Sequence, residues 1–203
     1  MHEWWPANSA LEVFVGAILT QQSNWKNVEI AISNLKRNKL LDMQSICNAN
    51  IWQLERSIRP CGFYRQKARR LKSICSAIDS EFGSFEGLLL YKTEKIREIL
   101  LQYTGIGPET ADDIVLYGFS RASFVVDMYT KRVMSRLDSS FREKSYYDLK
   151  AYFESGLPND PIIYKRMHAY IVELSKTNCK AKPKCNNCPL NVICEHHLFN
   201  QIN

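Results

Sequence analysis

Residues 96–127 read IREILLQYTGIGPETADDIVLYGFSRASFVVD, and this stretch decides the fold. A helical apolar pattern, Ile96, Ile99, Leu100 and Tyr103, stops at Thr104-Gly105. A second pattern, Ala111, Ile114, Val115 and Gly118, starts after Pro108-Glu109. Between them sits Gly105-Ile106-Gly107. Glycine accepts positive φ and so turns a chain in very few residues. Pro108 suits the first position of a new helix, where its missing N–H is no loss. The spacing therefore predicts a helix, a tight hairpin and a second helix. Such a hairpin presents backbone N–H groups at a helix N-terminus and is a seat for a phosphate oxygen. Glycine turns also join helices in ordinary all-α proteins, so the turn alone assigns no function.

Outward from the hairpin, the pattern stays helical. Asn8 or Ser9 caps a helix running to about Gln21, with Leu11, Phe14, Val15, Ile18 and Leu19 apolar. Further helices are expected over residues 25–35, 43–49, 51–58, 64–82, 85–91, 93–103, 126–137, 146–154 and 162–175. Pro60-Cys61-Gly62 and Gly83 punctuate them. No strand pair is found, so the fold class is all-α. The 203 residues fit one domain or two small ones, and 45% hydrophobic content fills a core. No run of eighteen apolar residues exists, so no transmembrane helix and no membrane partner are expected. The start, MHEWWPANSALEVF, lacks the basic and apolar regions of a secretory signal. A net charge of +6 is compatible with a polyanionic partner.

Seven cysteines divide into two groups. Cys47, Cys61 and Cys75 are scattered through helical sequence and read as small buried residues. Cys179, Cys185, Cys188 and Cys194 crowd into sixteen residues, which argues for metal rather than disulfides. The pattern Cys179-x5-Cys185-x2-Cys188-x5-Cys194 offers four thiolates to a [4Fe–4S] cluster or to zinc.

Asp127 lies twenty residues after Gly107, behind the apolar run Phe124-Val125-Val126 and ahead of a helix carrying Lys131, Arg132 and Arg136. The glycine hairpin, an aspartate at this distance and a C-terminal four-cysteine loop together resemble the helix-hairpin-helix DNA glycosylase superfamily. The resemblance covers nearly the whole chain and is nearest to endonuclease III with its iron–sulfur cluster. It implies a two-lobed fold with the active cleft between the lobes. Residues 20–120 would form a six-helix lobe holding the hairpin. Residues 1–19 and 121–203 would form a second helical lobe ending in the cluster loop, 179–194. It further implies a monomer in the cytoplasm, associated with the nucleoid, acting on duplex DNA that carries a damaged base or an abasic site.

Residue roles follow from the same resemblance. Asp127 would stabilise the positive charge that builds on deoxyribose as the N-glycosidic bond breaks, or activate water. An aspartate before a helix is also an ordinary N-cap. Bifunctional members carry a lysine where Glu109 stands, and that amine attacks the sugar. Glutamate has no such amine, so a monofunctional enzyme using water is implied, with Glu109 also suited to a helix N-terminus. Lys131, one turn after Asp127, is a lesser substitute for the amine. Gly105, Ile106 and Gly107 would hold the DNA backbone. Gln21, with Gln22 beside it, would enter the gap left by the extruded nucleotide. Lys180, Lys182 and Lys184 on the cluster loop would contact phosphate, or else carry solvated charge. Along residues 65–72, Arg65, Lys67, Arg69, Arg70 and Lys72 spread too widely for one face; some would approach phosphates and the rest would be solvated.

Trp4-Trp5-Pro6, and an aromatic residue, Trp25, four positions after the glutamine, look like the 3-methyladenine glycosylases of the superfamily. There the aromatics sandwich an electron-poor alkylated purine. That branch also has glutamate at the position of Glu109, but it lacks the cysteine cluster and carries lysine where Tyr170 falls. The base pocket is therefore expected from Trp4, Trp25 and Tyr170, although the tryptophans equally suit a core. The cluster loop departs from the endonuclease III pattern by one residue in its first gap, five rather than six. A [4Fe–4S] cluster is the expected occupant, with zinc the alternative. The expected function is base-excision-repair glycosylase, with alkylated purine as substrate. Uracil or thymine in mispairs, cleavage at abasic sites, and non-catalytic damage recognition are the alternatives.

Overall fold

The computed structural model describes residues 5–200, and among them every regular element is helical. The chain divides into two compact units, residues 1–121 and 122–203.

The first unit is built around α1 (Ala10–Thr20), in which Leu11 through Leu19 are all buried. Ser9 caps it, its hydroxyl accepting from the Glu12 N–H at 3.1 Å. A helix buried on every side needs neighbours on every side. They are α2 (Trp25–Arg37), α5 (Tyr64–Phe82), α7 (Pro108–Asp113) and a π-helical turn at Ile114–Gly118. The turn packs on α1 at Gly118, where a Cβ would make ordinary contacts of 3.5 Å with Ala10 O and Val13 Cβ. The outer helices α3 (Met43–Asn48), α4 (Ile51–Ile58) and α6 (Thr93–Leu101) complete the shell. Phe14, Ile18, Val28, Leu35, Leu54, Leu71, Leu100 and Ile114 are fully buried in one cluster. Each such side chain stabilises the unit by about 1.5–3 kcal/mol relative to exposure. The sequence reading groups residues 1–19 with residues 121–203; the buried side chains of α1 belong to this first core.

The second unit holds α8 (Met128–Leu137), α9 (Tyr146–Gly156), α10 (Pro161–Thr177) and the short α11 (Glu195–Asn200). Phe124 stacks on Phe153 at 4.2 Å and meets the edge of Tyr164 at 5.6 Å.

Most helix bounds agree with expectation. Residues 122–127 do not: helix is expected from Val126, but the segment has no regular structure and α8 starts at Met128. Two side chains of α9 satisfy its backbone. Glu154 accepts from Phe124 N–H at 2.8 Å, and Lys150 donates to Phe124 O at 3.2 Å. Residues 85–91 form a 3-10 segment, Glu86–Leu90, rather than an α-helix, since Ser84 Oγ captures the Gly87 N–H at 3.0 Å.

Candidate active site

The hairpin lies between α6 and α7. Gly105 takes φ +91, open to glycine, whereas Gly107 is extended at φ −93. A Cβ on Gly105 would overlap the Arg70 guanidinium, 2.0 Å from Nε; on Gly107 it would meet nothing within 4 Å. The positive φ that glycine accepts is thus used at Gly105, and Gly107 offers an open, exposed surface. Ile106 points inward, only 5% exposed, and pins the hairpin to the core. Arg97 and the fully buried Asp112 clasp the two helices through paired bonds of 2.9 and 3.0 Å.

Gln21 is brought directly against this hairpin. Its Nε2 donates to Gly105 O at 2.9 Å and to Thr110 Oγ1 at 3.1 Å, and its Oε1 accepts from Arg70 at 2.6 Å. Gln22 is exposed, in left-handed backbone at φ 51. Glu109 occupies the exposed first turn of α7.

The basic run of α5 is corrected in part. Lys67 is buried and caps chain ends, donating to Leu19 O and Cys61 O at 2.9 Å each. Burial lowers its pKa, with the nearby Cys61 opposing. Lys72 bonds Ala49 O, and Arg70 serves the hairpin. Such buried carbonyl partners come from distant sequence and leave no local signal.

Trp25 begins α2 behind the Asn24 cap and meets Trp5 edge to face at 5.4 Å. Trp5 lies 5.4 Å from Tyr117 and covers Gly16, where a Cβ would stand 3.3 Å from its ring. Trp4, the expected pocket residue, lies outside the described residues. Trp5 and Tyr117 were not in the expected pocket; the Trp-Trp pair was the available signal, and Tyr117 had none. Tyr170 stands exposed on α10.

Asp127 is the N-cap of α8. Its Oδ1 accepts from Thr130 N–H at 2.7 Å and Thr130 Oγ1 at 2.9 Å. Its Oδ2 stands 3.5 Å from Nε2 of His168 on α10. Burial pushes this carboxyl up, but His168 and then Thr130 more than offset it and hold it below the usual carboxylate range. An ionised carboxylate with little water around it suits stabilising a developing cation. Lys131 is exposed on the same helix.

All four C-terminal cysteines are free and partly exposed. Burial raises the Cys185 thiol, and the neighbouring Cys194, Cys188 and Cys179 raise it further. Among the described residues no set of three or more His, Cys, Asp or Glu side chains is gathered as a site for a single metal ion. Arg136 donates to Cys179 Sγ at 3.4 Å and to Lys180 O at 2.6 Å, and Arg132 to Cys179 O at 2.8 Å. Four cysteine thiols are the donor type that an iron–sulfur cluster takes, and Arg136 supplies N–H···S support to one of them. Lys180, Lys182 and Lys184 are all exposed on this loop.

Comparison with known proteins agrees with this architecture. Residues 15–159 match the family described as HhH-GPD superfamily base excision DNA repair protein. A Methanocaldococcus jannaschii protein, whose name places it among DNA repair glycosylases, is 48% identical over 94% of this chain and 88% of its own. The H. pylori 3-methyladenine DNA glycosylase, solved with 1,N6-ethenoadenine, superposes with a TM-score of 0.75 at 32% identity, covering 85% of this chain and 87% of that one. A non-covalent endonuclease III–DNA complex shares the fold, with a TM-score of 0.81 at 22% identity over 97% and 88% of the two chains. The hairpin, the capped aspartate and these relatives together make the chain a member of the HhH-GPD superfamily, a DNA glycosylase of base excision repair.

Proposed function

We propose that the protein is a monofunctional glycosylase for alkylated purines. The observation that carries this reading is the aromatic group of Trp5, Trp25 and Tyr117, which offers π-faces to an electron-poor base. The H. pylori relative, a 3-methyladenine glycosylase with an ethenoadenine bound, supports the same class. The hairpin at Gly105, Ile106 and Gly107, together with Lys180, Lys182 and Lys184, would hold the DNA backbone of a duplex bearing the lesion. Gln21 would need to release its three hydrogen bonds to fill the vacated stack, whereas the exposed Gln22 is already free of the hairpin. Trp4 and Tyr170 remain members of the proposed pocket.

As the C1′–N bond breaks, its electron pair leaves with the base and C1′ becomes cationic. Asp127 stabilises that cation and takes a proton from the attacking water, whose oxygen bonds C1′. Position 109 is glutamate, so no amine stands there to form a Schiff base. Cys179, Cys185, Cys188 and Cys194 would hold a [4Fe–4S] cluster, which would stabilise the fold of the loop. The protein would act as a monomer in the cytoplasm, at the nucleoid.

The experiment is a lesion panel. Duplexes carrying methylated purines, ethenoadenine, uracil and thymine mispairs are incubated with the protein and split into samples with and without alkali. Release of methylated purine, with strands breaking only after alkali and no adduct trapped by borohydride, is expected. Preferential uracil or thymine release would replace the substrate assignment. Trapping would replace the monofunctional one.

A further inference from the structure

We propose that His168 is a positioning residue for base release: from α10 it orients the carboxylate of Asp127 through Oδ2. The proposal rests on the reading of Asp127 as the group that stabilises the cationic sugar. Three observations carry it. The two oxygens of Asp127 are used differently, since Oδ1 accepts from both donors of Thr130 while Oδ2 faces the imidazole at 3.5 Å. His168 is only 4% exposed and its Nε2 is shut off from solvent, so water cannot stand in for the ring. Finally, α8 and α10 pack directly on each other, which fixes the ring relative to the helix that Asp127 caps.

The chemistry explains why the neighbour is a histidine. Oδ1 already has two donors, so Oδ2 keeps more of its lone-pair capacity for the reacting sugar. A donor at Oδ2 sets the rotation of the carboxylate, and a misaimed dipole loses much of its effect on the transition state. Lysine or arginine in this place would carry a permanent positive charge and cancel the field the cation needs. An imidazole carries no such permanent charge, and its rigid ring orients the carboxylate by geometry. The 3.5 Å separation is in ion-pair range and longer than an N–H···O hydrogen bond. A small shift of the ring or the carboxylate tightens it when the site is filled.

The test uses the full chain, with methylated duplex DNA for single-turnover release and a duplex holding a tetrahydrofuran abasic analogue for affinity. His168→Leu is expected to slow release at least tenfold while affinity stays within twofold. His168→Gln, whose amide nitrogen reaches the place of Nε2, is expected to recover most of the rate. His168→Asn, one carbon shorter, is expected to remain at least fivefold slower than His168→Gln. In an Asp127→Asn background, His168→Leu should cause no further loss. A purely packing role predicts equal rates for the Gln and Asn variants, and that result overturns the proposal even if His168→Leu fails to fold. So does an additive loss in the double variant. If Asp127→Asn itself leaves the rate unchanged, or wild type releases no purine, the underlying reading fails instead. That arm is scored without any His168 variant.

Discussion

Two helices of this protein begin in opposite ways. α7 starts behind Gly107, which has no side chain and leaves the cap bare and exposed. α8 starts behind Asp127, whose own carboxylate fills the cap through Thr130. Every helix start has backbone donors without partners inside the helix. A bare cap turns those donors outward, toward an anion such as a DNA phosphate. A filled cap turns them inward, where they join His168 in holding the Asp127 carboxyl below its usual range. The same feature of helix geometry would thus serve binding at one place and chemistry at another under the proposed function, and the difference is one side chain.

The filled cap breaks most sharply at its centre. Asp127→Asn keeps the shape and removes the charge. Loss of one preorganised electrostatic group costs on the order of 10²–10³ in rate, so base release should fall by that factor while duplex affinity is retained. A rate within tenfold of wild type would show Asp127 to be a cap and nothing more. The same residue makes a pH prediction. The folded carboxyl is held below its unfolded value, so its stabilising contribution is complete above the ordinary carboxylate range. That contribution is lost as pH falls through the folded value. Acid unfolding of Asp127→Asn, followed by circular dichroism, should therefore be less steep than that of wild type.

Gly105→Ala strikes the frame behind the bare cap. The φ of +91 is unfavourable for alanine, and the new methyl would displace Arg70 from its place over the hairpin. Backbone strain and overpacking together should destabilise by on the order of 2–3 kcal/mol in urea titration. DNA binding should weaken as well, because Arg70 also holds Gln21. Unchanged stability would mean that the hairpin has another conformation.

How far each cap was legible depends on how local its physics is. Thr104-Gly105-Ile106-Gly107-Pro108 announces a turn and a helix start within five residues, and the structure follows it. The 51–58 and 64–82 helices are equally plain, punctuated by Pro60-Cys61-Gly62 and by Gly83, whose φ is 73. Asp127 was visible as a cap, with Thr130 three residues on. Its partner His168 was not, because 41 positions and two helices separate them and a lone histidine on a helix signals nothing. The π-helical turn at Ile114–Gly118 and the irregular 122–127 segment were hidden for a similar reason. Both follow from what packs on them, α1 in one case and Lys150 with Glu154 in the other. Lys67 shows the limit of charge patterns: its amine is spent on carbonyls from residues 19 and 61.

A third helix start tests whether aromatic neighbours matter to binding or only to packing. Trp25 follows the Asn24 cap of α2 and faces Trp5. Base–aromatic stacking contributes about 1–3 kcal/mol, so Trp25→Ala should reduce release of alkylated purine about tenfold. Binding to undamaged duplex, measured by gel shift, should stay nearly constant. Unfolding of this variant would assign Trp25 to the core and remove the main support for the alkylpurine reading.

The smallest effect is expected at the bare cap itself, and it sharpens the comparison most. Gly107 is extended, and a Cβ there meets nothing within 4 Å, so alanine fits without strain. Glycine is preferred over alanine at an N-cap by up to about 1 kcal/mol, and urea titration should register no more than that. The added methyl nevertheless stands where a phosphate would approach the first N–H groups of α7. Affinity should therefore drop several-fold, to the same extent for damaged and undamaged duplexes, because a phosphate contact carries no sequence information. Release from bound substrate should be unchanged, since Asp127 and its cap lie on another helix. Wild-type affinity at fixed salt would remove the bare cap from the DNA interface. A selective loss on damaged DNA would instead make Gly107 part of lesion recognition, and the division of labour between the two helix starts would have to be redrawn.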